Sequence, residues 1–306
     1  MTVITRPPVM SAKRRLQRHE AATGFAFVLP SVVGFVVFVL GPLVAAFVIG
    51  FTEYDIVTSP EWVGLENFRR LWRDDRLRET YVNTVVYVIC AVVLINVIGL
   101  ALAVMVNRRM PGWARTVLRS IYFFPSLIGL TYVSIIWQAL FQKDTGVVNH
   151  YLSEVGGPRI DWLNDERWSV VSVVIVDTWR NVGLTMLIYV SALQNVPRSL
   201  LEAAEIDGAG RWRSFRNVTL PMISPSVFFN VTMVMIGAFQ IYESVIVLTG
   251  GGPGDASRSV VMYLAEQGFQ QYNMGYASAI GTTLFLIIVA LTLVQFGLRK
   301  RWVHFE

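Results

Sequence analysis

The sequence predicts an all-α polytopic membrane protein with six transmembrane helices and both termini in the cytoplasm. Three observations carry this. Of 306 residues, 54% are hydrophobic and 15% charged, and the mean hydropathy of +0.51 exceeds what a water-exposed surface carries. Six apolar windows are each long enough to cross roughly 30 Å of hydrocarbon as a helix: Gly24 to Phe51, Asn83 to Val106, Ser120 to Phe141, Ser169 to Leu193, Ser226 to Leu248 and Tyr276 to Leu298. The charges are also placed asymmetrically. With the N-terminus inside, segments 1–22, 107–119, 194–224 and 299–306 hold 16 of the 26 Lys and Arg. The outside segments hold 9 of them and 14 of the 21 Asp and Glu, and Arg180 alone falls within a span. The positive-inside rule thus accounts for the pI near 9.5, and no basic stripe interleaved with aromatics argues for nucleic acid. A β-barrel would need alternation that runs such as Leu284 to Val294 lack.

The elements follow in order. Residues 1–22 form a basic cytoplasmic tail. Its Lys13, Arg14, Arg15 and Arg18 precede an apolar run too long for a signal core, so 23–51 reads as an uncleaved first span. In the extracytoplasmic segment 52–80, VGLENFRRLWRDD reads as a surface helix with Leu65, Phe68, Leu71 and Trp72 on one side. The second span holds Cys90, the only cysteine, which excludes an intrachain disulfide. A short inside connector turns at Pro111-Gly112, and the outside segment 142–168 turns at Gly156, Gly157 and Pro158. After the fifth span, TGGGPGD (Thr249 to Asp255) predicts a flexible bend at the membrane edge.

Several chemistries are excluded or weakened. A Walker-type phosphate loop needs a Lys after Gly, and none of Lys13, Lys143 and Lys300 follows one. His19, His150 and His304 are separated by topology, which argues against a metal or triad site. Gly252-Pro253-Gly254-Asp255 with Tyr54-Asp55 matches the pattern of an intramembrane aspartyl protease. Both Asp residues, however, fall in turn-forming contexts at span ends.

Ionisable groups within spans are costly, about 2.5 to 3.5 kcal/mol each on insertion scales, so they face protein or water. Asp177 and Arg180 share one face of the fourth span, and Glu243 lies in the fifth window at comparable depth, with Trp179, Asn181, Gln240 and Tyr242 nearby. Two roles suit this group. An Asp177–Arg180 pair, with Asn230 or Gln240 as interhelical glue, would lock the packing. Alternatively, these residues would line a path for a polyhydroxylated solute, aromatic faces stacking on the ring and amides or carboxylates bridging hydroxyls.

The stretch EAAEIDGAGRWRSFRNVTLP, Glu202 to Pro221, falls in the polar interval 194–224 between two spans. Leu200, Leu201, Ala203, Ala204 and Ile206 predict a short helix with an apolar side, ended where Gly208 and Gly210 supply positive φ. Glu202 and Glu205 are available to Arg on a partner. These residues resemble the signature of the permease subunits of binding-protein-dependent ABC importers: Glu202-Ala203-Ala204, then Gly208, then Leu220-Pro221, with Val218 in place of the usual Ile. The stretch from Trp179 to Ala209, VGLENF, LTGGGPG and MGYASA resemble the sugar-importer branch, maltose and glycerol-phosphate permeases included. The resemblance implies a type I importer fold with its transmembrane domain over 81–298. It implies coupling to the ATPase through Glu202, Ala203, Ala204, Glu205, Asp207, Gly208, Arg211, Leu220 and Pro221. It further implies a cytoplasmic ATPase dimer that holds ATP and Mg, while this chain binds no cofactor. The other implied partners are a second permease, an extracytoplasmic solute-binding protein and a sugar-like solute, in a bacterial or archaeal cytoplasmic membrane.

Overall fold

A computed structural model describes residues 10–108 and 110–299; the terminal basic residues Arg6, Lys300 and Arg301 lie outside the described residues. The chain runs α1 (Met10–Phe35), α2 (Gly41–Ile49), β1 (Thr52–Glu53), β2 (Glu61–Trp62), α3 (Glu66–Leu71), α4 (Asp75–Val106), α5 (Gly112–Leu127), α6 (Leu130–Leu140) and α7 (Val147–Glu154). It continues with α8 (Glu166–Gln194), α9 (Arg198–Ile206), α10 (Arg211–Ser214), α11 (Leu220–Met222), α12 (Ser224–Phe239), α13 (Glu243–Leu248), α14 (Val260–Ala265) and α15 (Met274–Leu298). Four helices are long and apolar enough to cross a membrane, or up to six if each of two bent pairs counts as one span. The two short strands pair antiparallel and are the only strands among the described residues.

Two of the long helices begin where a carboxylate caps free amides. Asp74 accepts from Leu77 N at 3.0 Å to open α4, and Asp165 accepts from Arg167 N and Trp168 N to open α8. Helices α4 and α8 form the spine of the bundle, and three apolar clusters line it. One joins α4 to α12, α14 and α15 around Ile95, Phe239 and Ile280. A second joins α4 and α8 to α6 and α13 around Tyr87, Val176 and Val245. The third lies at the inner end, around Val106, Met186 and Ile223. Gly183 lets α5 and α8 cross closely, since a Cβ there would collide with the Tyr122 carbonyl.

Two windows that read as continuous spans are not. The third bends by 100° between α5 and α6. Pro125 removes one ladder donor near the end of α5, and Arg180 Nε donates to the carbonyl of Ile128, the residue that ends α5, at 3.3 Å. The fifth window ends as a helix at Phe239 rather than Leu248. Its chain turns through Gln240, Ile241 and Tyr242 before α13, and Ser259 Oγ donates to the Ile241 carbonyl at 2.7 Å. Irregular backbone at membrane depth is tolerated only with such partners or beside a cavity. Ahead of this window, Arg211–Met222 and Ser224–Phe239 meet at 69°.

The outside segments are more ordered than their composition suggests. In segment 142–168 the buried Asn149 donates to the carbonyls of Lys143 and Ile160. Its Oδ1 accepts from Ile160 N and Trp162 Nε1. The surface helix expected at 65–72 is α3, but its four apolar residues do not share one environment: Phe68 packs on Phe51 and Leu71 joins the α4–α15 cluster, whereas Trp72 is 92% exposed.

Candidate functional site

Two regions gather the residues singled out by sequence. The first is the element from α9 to α11, between the fourth and fifth apolar windows. Helix α9 starts after Pro197 and turns Leu201 and Ala204 inward, with Leu201 and Leu220 packing on the inner cluster formed by α4 and α8. Its other side is bare: Glu202, Ala203, Glu205, Asp207 and Gly208 are exposed, and Ile206 is 87% exposed. The helix ends in a Schellman motif. Ala209 N donates to the Ala204 carbonyl at 2.9 Å and Gly208 N to that of Glu205 at 3.0 Å, with Gly208 at φ +74°. Gly210 does not share that role, since its φ is −64° and it caps α10 instead. Arg211 opens α10 on the exposed surface, and Pro221 sits in the first turn of α11. Trp212, 74% exposed, stacks on Phe215.

The second region is a central cavity of about 800 Å³ between α4, α6, α8 and α12. Asp177, Arg180 and Asn181 line it from α8, together with Leu184, Thr185 and Ile188. These positions follow the i, i+3, i+4, i+7 rhythm of one helical face. Gln240, Tyr242 and Glu243 line it from the break after α12, so two regions remote in sequence meet here. Trp179 does not join them. Two residues from Asp177 along a helix is about 200° around it, and Trp179 instead packs edge-on against Trp137, centroids 5.6 Å apart.

The expected Asp177–Arg180 ion pair is absent within 4.0 Å among the described residues. Asp177 Oδ1 accepts from Asn181 Nδ2 at 3.1 Å, while Arg180 is turned to the Ile128 carbonyl and to Asn181 Oδ1. The break at α5's end drew the guanidinium away. Interhelical glue is supplied by Asn230, which donates to Asn96 Oδ1 at 2.8 Å and Thr185 Oγ1 at 3.2 Å. The Tyr189 hydroxyl also donates to Asn96 Oδ1. Gln240 donates only to the Ile236 carbonyl of its own helix. Sequence reasoning missed Thr185, Phe229 and Met233 on the wall; the face shared with Asp177 could have revealed Thr185.

At the outer side, the two Asp of the protease pattern have separate partners. Asp55 caps a turn, accepting from Val57 N, Thr58 N and Thr58 Oγ1. Asp255 accepts from Arg76 Nε at 2.8 Å and Nη2 at 3.1 Å, and from Arg258 Nε. Neither is held against the other as a proton-sharing pair requires. The glycine-rich bend is pinned rather than loose: Asn83 Nδ2 donates to the carbonyls of Asp255 and Arg258, and Tyr87 OH to that of Ser257 at 2.8 Å.

Comparisons with known proteins agree with this architecture. Residues 95–303 match the family model described as the binding-protein-dependent transport system inner membrane component. The probable ABC transporter permease protein YesP of Bacillus subtilis (strain 168) is 34% identical over 299 residues, covering 96% of each chain. The lactose transport system permease protein LacF of Rhizobium radiobacter is 32% identical, covering 94% of this chain and 97% of its own. In structure, the chain is similar to one from a bacterial ABC transporter involved in the import of the acidic polysaccharide alginate. The TM-score is 0.83 at 22% identity, over 94% of this chain and 99% of that one. With its helices and their order matched over nearly the whole length, this chain belongs to the inner membrane components of binding-protein-dependent transport systems, as the permease subunit of an ABC importer.

Proposed function

We propose that this permease carries a sugar or sugar-like solute into the cytoplasm, handed over by an extracytoplasmic binding protein and driven by a cytoplasmic ABC ATPase dimer holding ATP and Mg. The single observation that carries the drive is α9: a short, tightly terminated helix that leaves Glu202, Glu205 and Ile206 exposed while half-buried Leu201 packs on the cluster at the inner ends of α4 and α8. A pull on α9 is passed to the two helices that line the cavity. ATP binding would draw the coupling helices inward and open the cavity outward, and hydrolysis would reset it. A second permease chain, identical or a sister, would close the open side of the path in the cytoplasmic membrane.

The solute reading rests on the cavity wall. Asp177, Asn181, Gln240 and Glu243 supply acceptors and amides, and Tyr242 a ring for stacking. Relatives named for lactose and a structural neighbour solved with an alginate pentasaccharide-bound periplasmic protein support a carbohydrate class. Glycerol phosphate loses ground because Arg180, the one cation there, is engaged by backbone.

The deciding experiment is Glu202→Lys in the intact complex. Uptake and co-purification of the ATPase are expected to be lost while the permease still inserts in the membrane. Unchanged ATP-driven uptake would overturn the assignment of α9.

A further inference from the structure

The cavity has a second polar contact at the end opposite its charged rim. Thr185 lies roughly 12 Å beyond Asp177 along α8, and Asn230 roughly 15 Å before Gln240 along α12. Both line the cavity, yet they are only 3% and 2% exposed. Leu184, Ile188, Phe229 and Met233 flank them on the wall, while the charged lining residues Asp177, Arg180 and Glu243 belong to the rim end.

The pair is held in one orientation from behind. Asn96 Nδ2 donates to the Val92 carbonyl at 2.8 Å, and Asn96 Oδ1 accepts from the Tyr189 hydroxyl and from Asn230 Nδ2. Asn230 Nδ2 also donates to Thr185 Oγ1 at 3.2 Å. The Thr185 methyl fills the space left by the absent side chain of Gly99, since a Cβ there would stand 2.5 Å from Thr185 Cγ2. Two hydrogen-bonding functions remain unused. Among the described residues, Asn230 Oδ1 accepts from no group, and the Thr185 hydroxyl, which accepts from Asn230, donates to none. Polar groups this deeply buried are costly to leave unmet.

One free acceptor beside one free donor is the complement of a hydroxyl, which gives one hydrogen and takes another. An ionised carboxylate has no hydrogen for Asn230, and an ammonium has no lone pair for Thr185. We propose that Thr185 and Asn230 form an inner solute station that takes one hydroxyl of the carbohydrate after it leaves the rim. The station rests on the carbohydrate reading given above.

The test uses the assembled importer, with its ATPase and binding protein, in proteoliposomes supplied with a panel of radiolabelled neutral mono- and oligosaccharides, lactose, maltotriose and raffinose among them. Thr185→Val keeps the methyl beside Gly99 and removes only the hydroxyl. It is expected to lower uptake per ATP hydrolysed about three- to tenfold, the worth of one neutral hydrogen bond. The binding-protein concentration that gives half-maximal uptake and the thermal unfolding midpoint are expected to hold, and Thr185→Ser should restore most of the loss. A merely structural role would lower the midpoint and ATP hydrolysis together with uptake, and that result would overturn the proposal. Loss of uptake in Gln240→Ala with none in Thr185→Val would refute the station while leaving the rim intact. An unaltered importer that ignores the whole panel would refute the carbohydrate reading and the station with it.

Discussion

Gly208 shows how one backbone angle would support the proposed drive. At φ +74° it accepts a conformation that costs an L-residue about 1 to 2 kcal/mol, yet a Cβ built there meets nothing within 4 Å. The requirement is therefore conformational rather than steric. Gly208→Ala is expected to fray the end of α9 and lower ATP-driven uptake severalfold, with insertion unchanged. Gly208→Asn, which tolerates the left-handed region better, should retain more uptake than the Ala variant. Wild-type transport by Gly208→Ala would remove the argument. This residue was legible in the sequence because its neighbours fixed a helix end. The partners of Asn230 were not: a polar residue in a span predicts glue, but Asn96 lies 134 positions away and is brought to it only by packing.

At the scale of elements, the outer loop between α13 and α14 is stapled to α4 by charge. Hydrogen bonding from Arg76 holds the Asp255 carboxyl below its usual range; partial burial opposes this, and Arg258 reinforces the lowering. Because the folded value is depressed, the stabilisation from this group is fully present above the ordinary carboxylate pKa near 3.8 and is lost as pH falls through the folded value. Amide exchange of residues 249–258, taken relative to the unprotected rate at each pH, is therefore expected to accelerate on acidification below about pH 4. Arg76→Gln should produce the same acceleration at neutral pH. Loop exchange indifferent to both changes would contradict the staple. The sequence showed glycines here and so predicted a flexible bend; the restraint comes from side chains 170 and 179 residues away, beyond any local pattern. Hydropathy likewise found the six apolar windows but not the bends, since a run of apolar residues reads the same in a straight helix and a broken one. Pro125 and Gly129 were the available signals for the first bend, while the turn at Gln240 has neither residue.

For the whole molecule, the cavity is built by one chain only on part of its perimeter, and the first span packs little on its own bundle: none of its most apolar window is buried. Both features accord with a path completed in an assembly. Alternating access predicts that a cavity residue changes sides. With Cys90→Ser as background, a cysteine at Gln240, which is exposed in the cavity, is expected to react with an impermeant outside thiol reagent only when nucleotide is trapped on the ATPase. Identical labelling in every nucleotide state would refute a switching path. The interrupted fifth span has one more consequence. Side chains at Gln240 and Tyr242 hang from a turn, and Glu243 from the first residue of α13, rather than from the continuous coil of α12, so exchanging them leaves the screw of α12 and its grip on α4 undisturbed. A lineage adapting to a new nutrient can rewrite the rim of its passage there by single codon changes and keep the machinery beneath it intact.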